Sequence, residues 1–297
     1  MRSPLPLCAL ATLLSLSWVS PPQALGLPPK KNPPPHTRFE KLSFQKNSKR
    51  CKRNYRIQID TLRVLEAPPA LKPLVEAQLQ NWLRWALEAE TSASSSPEVW
   101  AQEELQRYEA VDCEEYKEAG QTPWERTLAV KHFFEDERWL TLSFEFVAFE
   151  GGAHESRQKQ FVTWEKETQT PLSLAALSPE PTPLLELAET EFRNTQKLKP
   201  EDAFEANGYW FDNGQFRLSE QFALCECGLL LYYNPYEVAA YAVGAIEVFI
   251  PMAKLKTLSK LPLPSSKPAV KAFDYCPYMP PPPPKPAPKK APPAAKK

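Results

Sequence analysis

The order of apolar patterns along the chain predicts an α+β fold, with helices packed against a largely antiparallel β-sheet. Three observations carry this. Segments alternating with period two recur, above all Leu140, Leu142, Phe144, Phe146 and Ala148. Other segments repeat apolar residues at helical spacing. The 34 prolines among 297 residues are not spread evenly, since nine fall in 1–35 and thirteen in 262–297. The chain between is ordinary in proline, so it reads as a globular body between two tails.

In order, Tyr55-Arg-Ile-Gln-Ile-Asp60 alternates as a first strand, and Pro68 and Pro69 stop it. Leu71, Leu74, Val75, Leu79, Trp82, Leu83 and Ala86 lie on one helical face, which predicts a helix over 70–90. Residues 97–118 are a second, charge-rich helix. Residues 127–134 and 139–150 form a hairpin around the acidic turn Glu135-Asp136-Glu137, and Phe161–Trp164 follows as a strand. Thr182 as N-cap and Pro183 at the first position open a helix that runs to about Lys197. Phe216–Cys225, Leu229–Tyr233 and Ile246–Ile250 are strands, with Asn234-Pro235 a turn, and Lys254–Ser259 is a short last helix.

The ends differ from the body. Residues 1–26 have the form of a secretory signal: Arg2, an apolar stretch from Leu5 to Val19, and small residues before Leu27. The stretch is shorter than a spanning helix needs. Export to the periplasm or the exterior, with a cleaved signal peptide, is the expectation. Charge sums to zero but is segregated. Residues 27–53, a basic arm, carry a net +8, and residues 277–297 carry five lysines and no acid. Residues 54–276 hold 21 basic and 35 acidic side chains, a net of −14. Such a body repels phosphate backbones, so nucleic acid is not expected as its ligand, and cationic partners are favoured. The Pro/Lys-rich tail, 261–297, reads as an extended spacer or tether, with the arms touching anionic lipid or wall polymer or merely solvating the ends.

Without Cys8 of the leader, five cysteines remain: Cys51, Cys113, Cys225, Cys227 and Cys276. All are disulfide candidates, and an odd number leaves one thiol over. A bridge between Cys225 and Cys227 would be strained, so partners elsewhere are expected. Zinc would need more ligands in a better spacing than Cys225-Glu-Cys227 offers, so no metal and no cofactor are expected.

Gly151-Gly152-Ala-His154 places two of only eight glycines together, which marks unusual backbone at a strand end. His154 there is a ligand-binding candidate or a turn histidine. Asn234-Pro-Tyr236-Glu237 is a second such corner, and Tyr233, Tyr236 and Tyr241 suit an interface or a sheet face. Glu145, Glu150, Glu155 and Glu237 are the carboxylates near these corners. No nucleophile motif is present, so no catalytic residues are assigned.

The stretch 139–258 resembles the extracytoplasmic domain of unknown function found in RsiV, the lysozyme-sensing anti-sigma factor, and beside some polysaccharide deacetylases. The blocks that carry it are the strand into Gly151-Gly-Ala-His154, Thr170-Pro-Leu-Ser-Leu174, Gly228–Glu237, and Tyr241–Gly244 leading to Glu247–Pro251 and Leu255. The segment 54–135 resembles the partner domain that often precedes it, and 136–260 the RsiV-like domain itself. The resemblance implies an envelope protein that binds a ligand, a cationic protein such as lysozyme or a peptidoglycan fragment, and is not an enzyme. A wall-polymer hydrolase using His154 and a nearby carboxylate is the alternative. Both readings require the glycine–histidine corner and the tyrosine-rich turn to lie together in space.

Overall fold

The computed structural model describes residues 36–48, 55–115, 123–264 and 269–272, with the backbone alone for 111–115. The leader 1–26, Cys51, Cys276 and the side chain of Cys113 lie outside the described residues.

A six-stranded sheet runs in chain order through β1 (Arg38–Asn47), β2 (Tyr55–Glu66), β3 (Trp124–Glu135), β4 (Trp139–Phe149), β5 (Ser156–Glu165) and β6 (Thr170–Pro171). Every neighbouring pair is antiparallel except β2 and β3. That parallel pair needs a crossover, which helices α1 (Leu71–Ala86) and α2 (Pro97–Glu115) supply. A second, antiparallel sheet of β7 (Phe222–Cys225), β8 (Gly228–Tyr233) and β9 (Ile246–Pro251) follows, with α3 (Leu174–Leu177), α4 (Pro181–Gln196) and α5 (Met252–Leu255) around it. The expected α+β class is observed.

The main sheet separates two cores. On one face Val75, Leu79, Trp82 and Leu83 of α1 and Trp100 and Leu105 of α2 pack against Ile57, Ile59, Leu140, Leu142 and Phe144. Each such side chain removed from water contributes roughly 1.5–3 kcal/mol. On the other face Trp139 and Phe161 meet β7–β9 and Leu184, Ala188 and Phe192 of α4. Residues 139–144 are therefore buried on both sides, where alternation alone predicts one. Thr141 ties the layers: its hydroxyl lies 2.9 Å from Thr163 Oγ1 and donates to the Leu224 carbonyl at 3.0 Å.

Several expectations change. The basic arm is not an arm throughout, because Arg38–Asn47 forms edge strand β1 against β2. The boundary drawn at 135/136 falls inside the β3–β4 hairpin of one continuous sheet. Helix α4 starts at Pro181 rather than after Thr182, since prolines at both 181 and 183 fit a first turn whose N–H groups need no partner. Of Phe216–Cys225 only the last four residues are strand.

The acidic turn is solvated only at Glu137. Glu135 is fully buried and Asp136 nearly so. Lys166 Nζ, equally buried, lies 2.5 Å from Glu135 Oε1, and His132 Nε2 lies 2.9 Å from Oε2. Asp136 Oδ1 accepts from the Arg138 and Trp139 amides at 2.8 and 2.7 Å. Burial alone would raise the Glu135 carboxyl. The His132 ring, Lys166 and the Thr37 amide more than offset this and hold it below the ordinary range.

Candidate functional site

Both corners occupy the same end of the molecule. Strand β4 ends at Phe149, and Gly151 and Gly152 turn the chain with φ of 92° and 98°. That left-handed backbone is why glycine is required here. A buried arginine steadies the base of the turn: Arg126 pairs with Glu150, with Glu88 at 3.2 Å and with Glu104 at 3.3 Å. Burial works against its charge, but Tyr55, Glu104 and Glu150 hold its pKa above the usual value.

The second corner follows β8. The Glu237 amide donates to the Asn234 carbonyl at 3.0 Å, closing a β-turn with Pro235 and Tyr236 at its centre. Asn234 docks this turn on β5, because its side chain accepts from the Lys159 amide at 2.7 Å and donates to the Lys159 carbonyl at 3.1 Å. It thus pairs as one residue of an extra strand would. Glu237 Oε2 accepts from the Asn234 amide at 2.8 Å, and Arg217 reaches its other oxygen at 3.3 Å. Tyr236 has φ of 67°, a conformation that costs a non-glycine residue about 1 kcal/mol, and the residue is 55% exposed.

The corners meet through their rings. His154 Nε2 lies 3.1 Å from the Tyr236 hydroxyl, across 82 residues of sequence. The His154 ring stacks on Tyr241 at 3.6 Å between centroids and 11° between planes, and Tyr236 and Tyr241 are 5.6 Å apart. An open cleft of about 450 Å³ lies beside them, lined also by Glu155, Arg157, Gln158, Gln160, Gln221 and Glu237.

Of the residues singled out, His154, Tyr236, Glu237 and Tyr241 line this cleft. Gly151 and Gly152 shape its rim but do not line it. Tyr233 is not there: it is fully buried, packed on Phe192, and its hydroxyl donates to the Arg217 carbonyl at 2.7 Å. Its neighbour Tyr232 faces the other way and is buried as well, because β8 is covered on both faces. The glutamines were missed. Gln158 and Gln160 share a strand face, but nothing local in the sequence joins them to Gln221.

The carboxylates do not form an acid–base pair. Glu145 and Glu155 both engage Arg157, Glu150 engages Arg126, and Glu237 engages Arg217. Hydrogen bonding to Glu155, the largest influence, holds the Arg157 pKa above its usual value. Both nitrogens of His154 face oxygens that are not carboxylates, the Glu155 carbonyl at 2.8 Å and the Tyr236 hydroxyl.

The cysteines are a partial correction. Cys227 is disulfide-bonded, but Cys225 is a free, fully buried thiol, although it was a disulfide candidate. It faces the apolar core and donates to the Gly228 carbonyl at 3.5 Å. Burial pushes its pKa up to about 12. Donor atoms of Cys225, Glu226 and Cys227 lie within 4.8 Å of one another, but a sulfur committed to a disulfide is no thiolate ligand.

Residues 175–253 match DUF3298, a family described as a protein of unknown function. The DUF3298 segment contains α4, β7–β9, Tyr236, Glu237 and Tyr241, while His154 and the glutamines of β5 lie before it. No curated protein matches the chain in sequence. A DUF3298 family member from Bacteroides fragilis has the same fold at a TM-score of 0.61 and 17% identity, covering 78% of this chain and 96% of that one. One from Pseudomonas aeruginosa PAO1 gives 0.56 and 21%, covering 76% and 95%. No helix among the described residues is long and apolar enough to cross a membrane.

Proposed function

We propose that the protein is an exported, non-enzymatic binding protein of the cell envelope that holds a saccharide segment of peptidoglycan in the cleft at His154, Tyr236 and Tyr241. The observation that carries this is the character of the lining: three touching rings beside side-chain amides, with the carboxylates already neutralised by arginines. Sugar rings lay their C–H faces on aromatic surfaces and offer hydroxyl and acetamido groups to amides. Gln158, Gln160 and Gln221 supply donors and acceptors without charge. The leader-like residues 1–26 and the resemblance to RsiV-type extracytoplasmic domains support the envelope setting.

Calorimetric titration with soluble peptidoglycan fragments tests it. Binding is expected, and Tyr241→Ala should weaken it at least about tenfold, the scale of losing one aromatic anchor. Undetectable binding, or a Tyr241→Ala variant that binds as well, overturns the reading.

The net −14 of residues 54–276 favours a second reading, capture of a cationic protein such as lysozyme. Its signature is an association that weakens steeply with salt, whereas saccharide binding in the cleft should change little.

A further inference from the structure

We propose that the protein self-associates through the open edge of β1, which pairs antiparallel with β1 of a second copy across a two-fold axis at Ser43. This stands independently of what the cleft binds. Among the described residues β1 is the outermost strand of the main sheet and is paired on one side only, to β2. Its other side presents main-chain donors and acceptors along a strand of ten residues.

The parity of the strand decides which residues can pair. The Ser48 amide donates to the Tyr55 carbonyl at 2.8 Å, and the register runs unbroken from Asn47 opposite Arg56 to Phe39 opposite Val64. Hydrogen-bonded positions alternate along an antiparallel pair. The even-numbered residues from Glu40 to Lys46 thus turn their main-chain groups to β2, and the odd-numbered ones from Phe39 to Asn47 turn theirs outward. Outward groups must meet outward groups, so the axis falls on a residue and not between two.

Of the central residues, Ser43 is the one that brings opposite charges together. An axis there sets Glu40 opposite Lys46 of the second copy and Leu42 opposite its Phe44, each twice by symmetry. These are the non-hydrogen-bonded pairs, in which side chains approach closest. An axis on Leu42 sets Arg38 opposite Lys46, and one on Phe44 sets Leu42 opposite Lys46. Glu40 Oε2 accepts from Arg63 of its own chain at 2.8 Å, which leaves its other oxygen for Lys46. Arg38 comes diagonal to Lys46, and its charge is met by Glu66. Leu42 and Phe44 are half-buried, and Phe44 packs on the core under α1 and α2, so the four side chains at the axis continue that core across the junction. The far edge of the sheet is β6, two residues long, so pairing at β1 closes as a dimer. The cleft lies beside β5, at the other side of the strand order, and stays open.

Analytical ultracentrifugation of the purified chain over a range of concentrations tests this, and a reversible monomer–dimer equilibrium is expected. Ser43→Pro removes an outward N–H at the axis, a place where an edge strand tolerates proline, and should give a monomer with an unchanged circular dichroism spectrum. Lys46→Glu and Glu40→Lys change exposed side chains, and each sets like charges opposite one another twice. Either should weaken self-association about tenfold or more. An equimolar mixture of the two variants should restore it, because every altered charge then faces its opposite. That rescue depends on the Ser43 register and does not follow from a general change of charge. A chain that stays monomeric, which would leave the edge to an extended peptide of another protein, overturns the proposal. So does undiminished dimerisation of either charge variant, a mixture that fails to recover, or growth beyond the dimer.

Discussion

Tyr236 sits where a glycine would be more comfortable. Its φ of 67° is held by the Asn234–Glu237 turn and presents the ring to His154 and Tyr241. Strain kept at a site is a reason to suspect use, because an unused position drifts toward the relaxed residue. Tyr236→Gly should therefore leave stability in urea within about 0.5 kcal/mol of wild type, because relieved strain offsets the added entropy of an unfolded glycine, while weakening peptidoglycan-fragment binding. Glu135 is the second residue with a defined expectation. Its carboxyl protonates below the ordinary value of 4.5 in the folded chain, so on acidification the unfolded chain takes up the proton first. The stabilisation is whole above pH 4.5 and is lost as pH falls through the depressed folded value. Glu135→Gln should cost about 3–5 kcal/mol at neutral pH, because it strands the buried Lys166 charge, and should flatten the acid limb of stability against pH. Urea melts across that range measure both effects.

Among the elements, the strand pair β8–β9 tolerates least. A Cβ on Gly228 would lie 2.0 Å from the Ile250 carbonyl oxygen. Backbone must move to admit it, so Gly228→Ala should destabilise by on the order of 3 kcal/mol or more, read as a fall in melting temperature with retained β-sheet signal. The same elements show what sequence can and cannot reveal. Helix α1 was legible because six of its residues are buried at helical spacing, and β4 because its alternation is long. Strand β1 was not, since Arg38, Glu40, Lys41 and Lys46 give an edge strand the composition of a solvated arm, as edge strands often have. The two corners of the cleft were legible one at a time, from paired glycines and from Asn-Pro-Tyr-Glu. Their meeting depends on the Asn234 side chain docking on Lys159, a contact across 75 residues that no local pattern encodes. The buried Glu135–Lys166 pair was hidden for the same reason, and its sequence looks like an ordinary hydrophilic turn.

At the scale of the molecule, one continuous sheet joins the parts that resemble separate domains. The β3–β4 hairpin belongs to both, and its two faces carry the two cores. Unfolding should accordingly be a single transition, with tryptophan fluorescence and far-ultraviolet circular dichroism superimposing in urea. Two separated midpoints would show that the cores melt independently. The free thiol at Cys225 follows the fate of the whole. It is sealed between β7 and the layer beneath, and its raised pKa keeps it uncharged at physiological pH. An alkylating reagent can therefore reach it only when that layer comes apart. Its labelling rate is a built-in clock for spontaneous opening, readable by mass spectrometry on untouched wild-type protein.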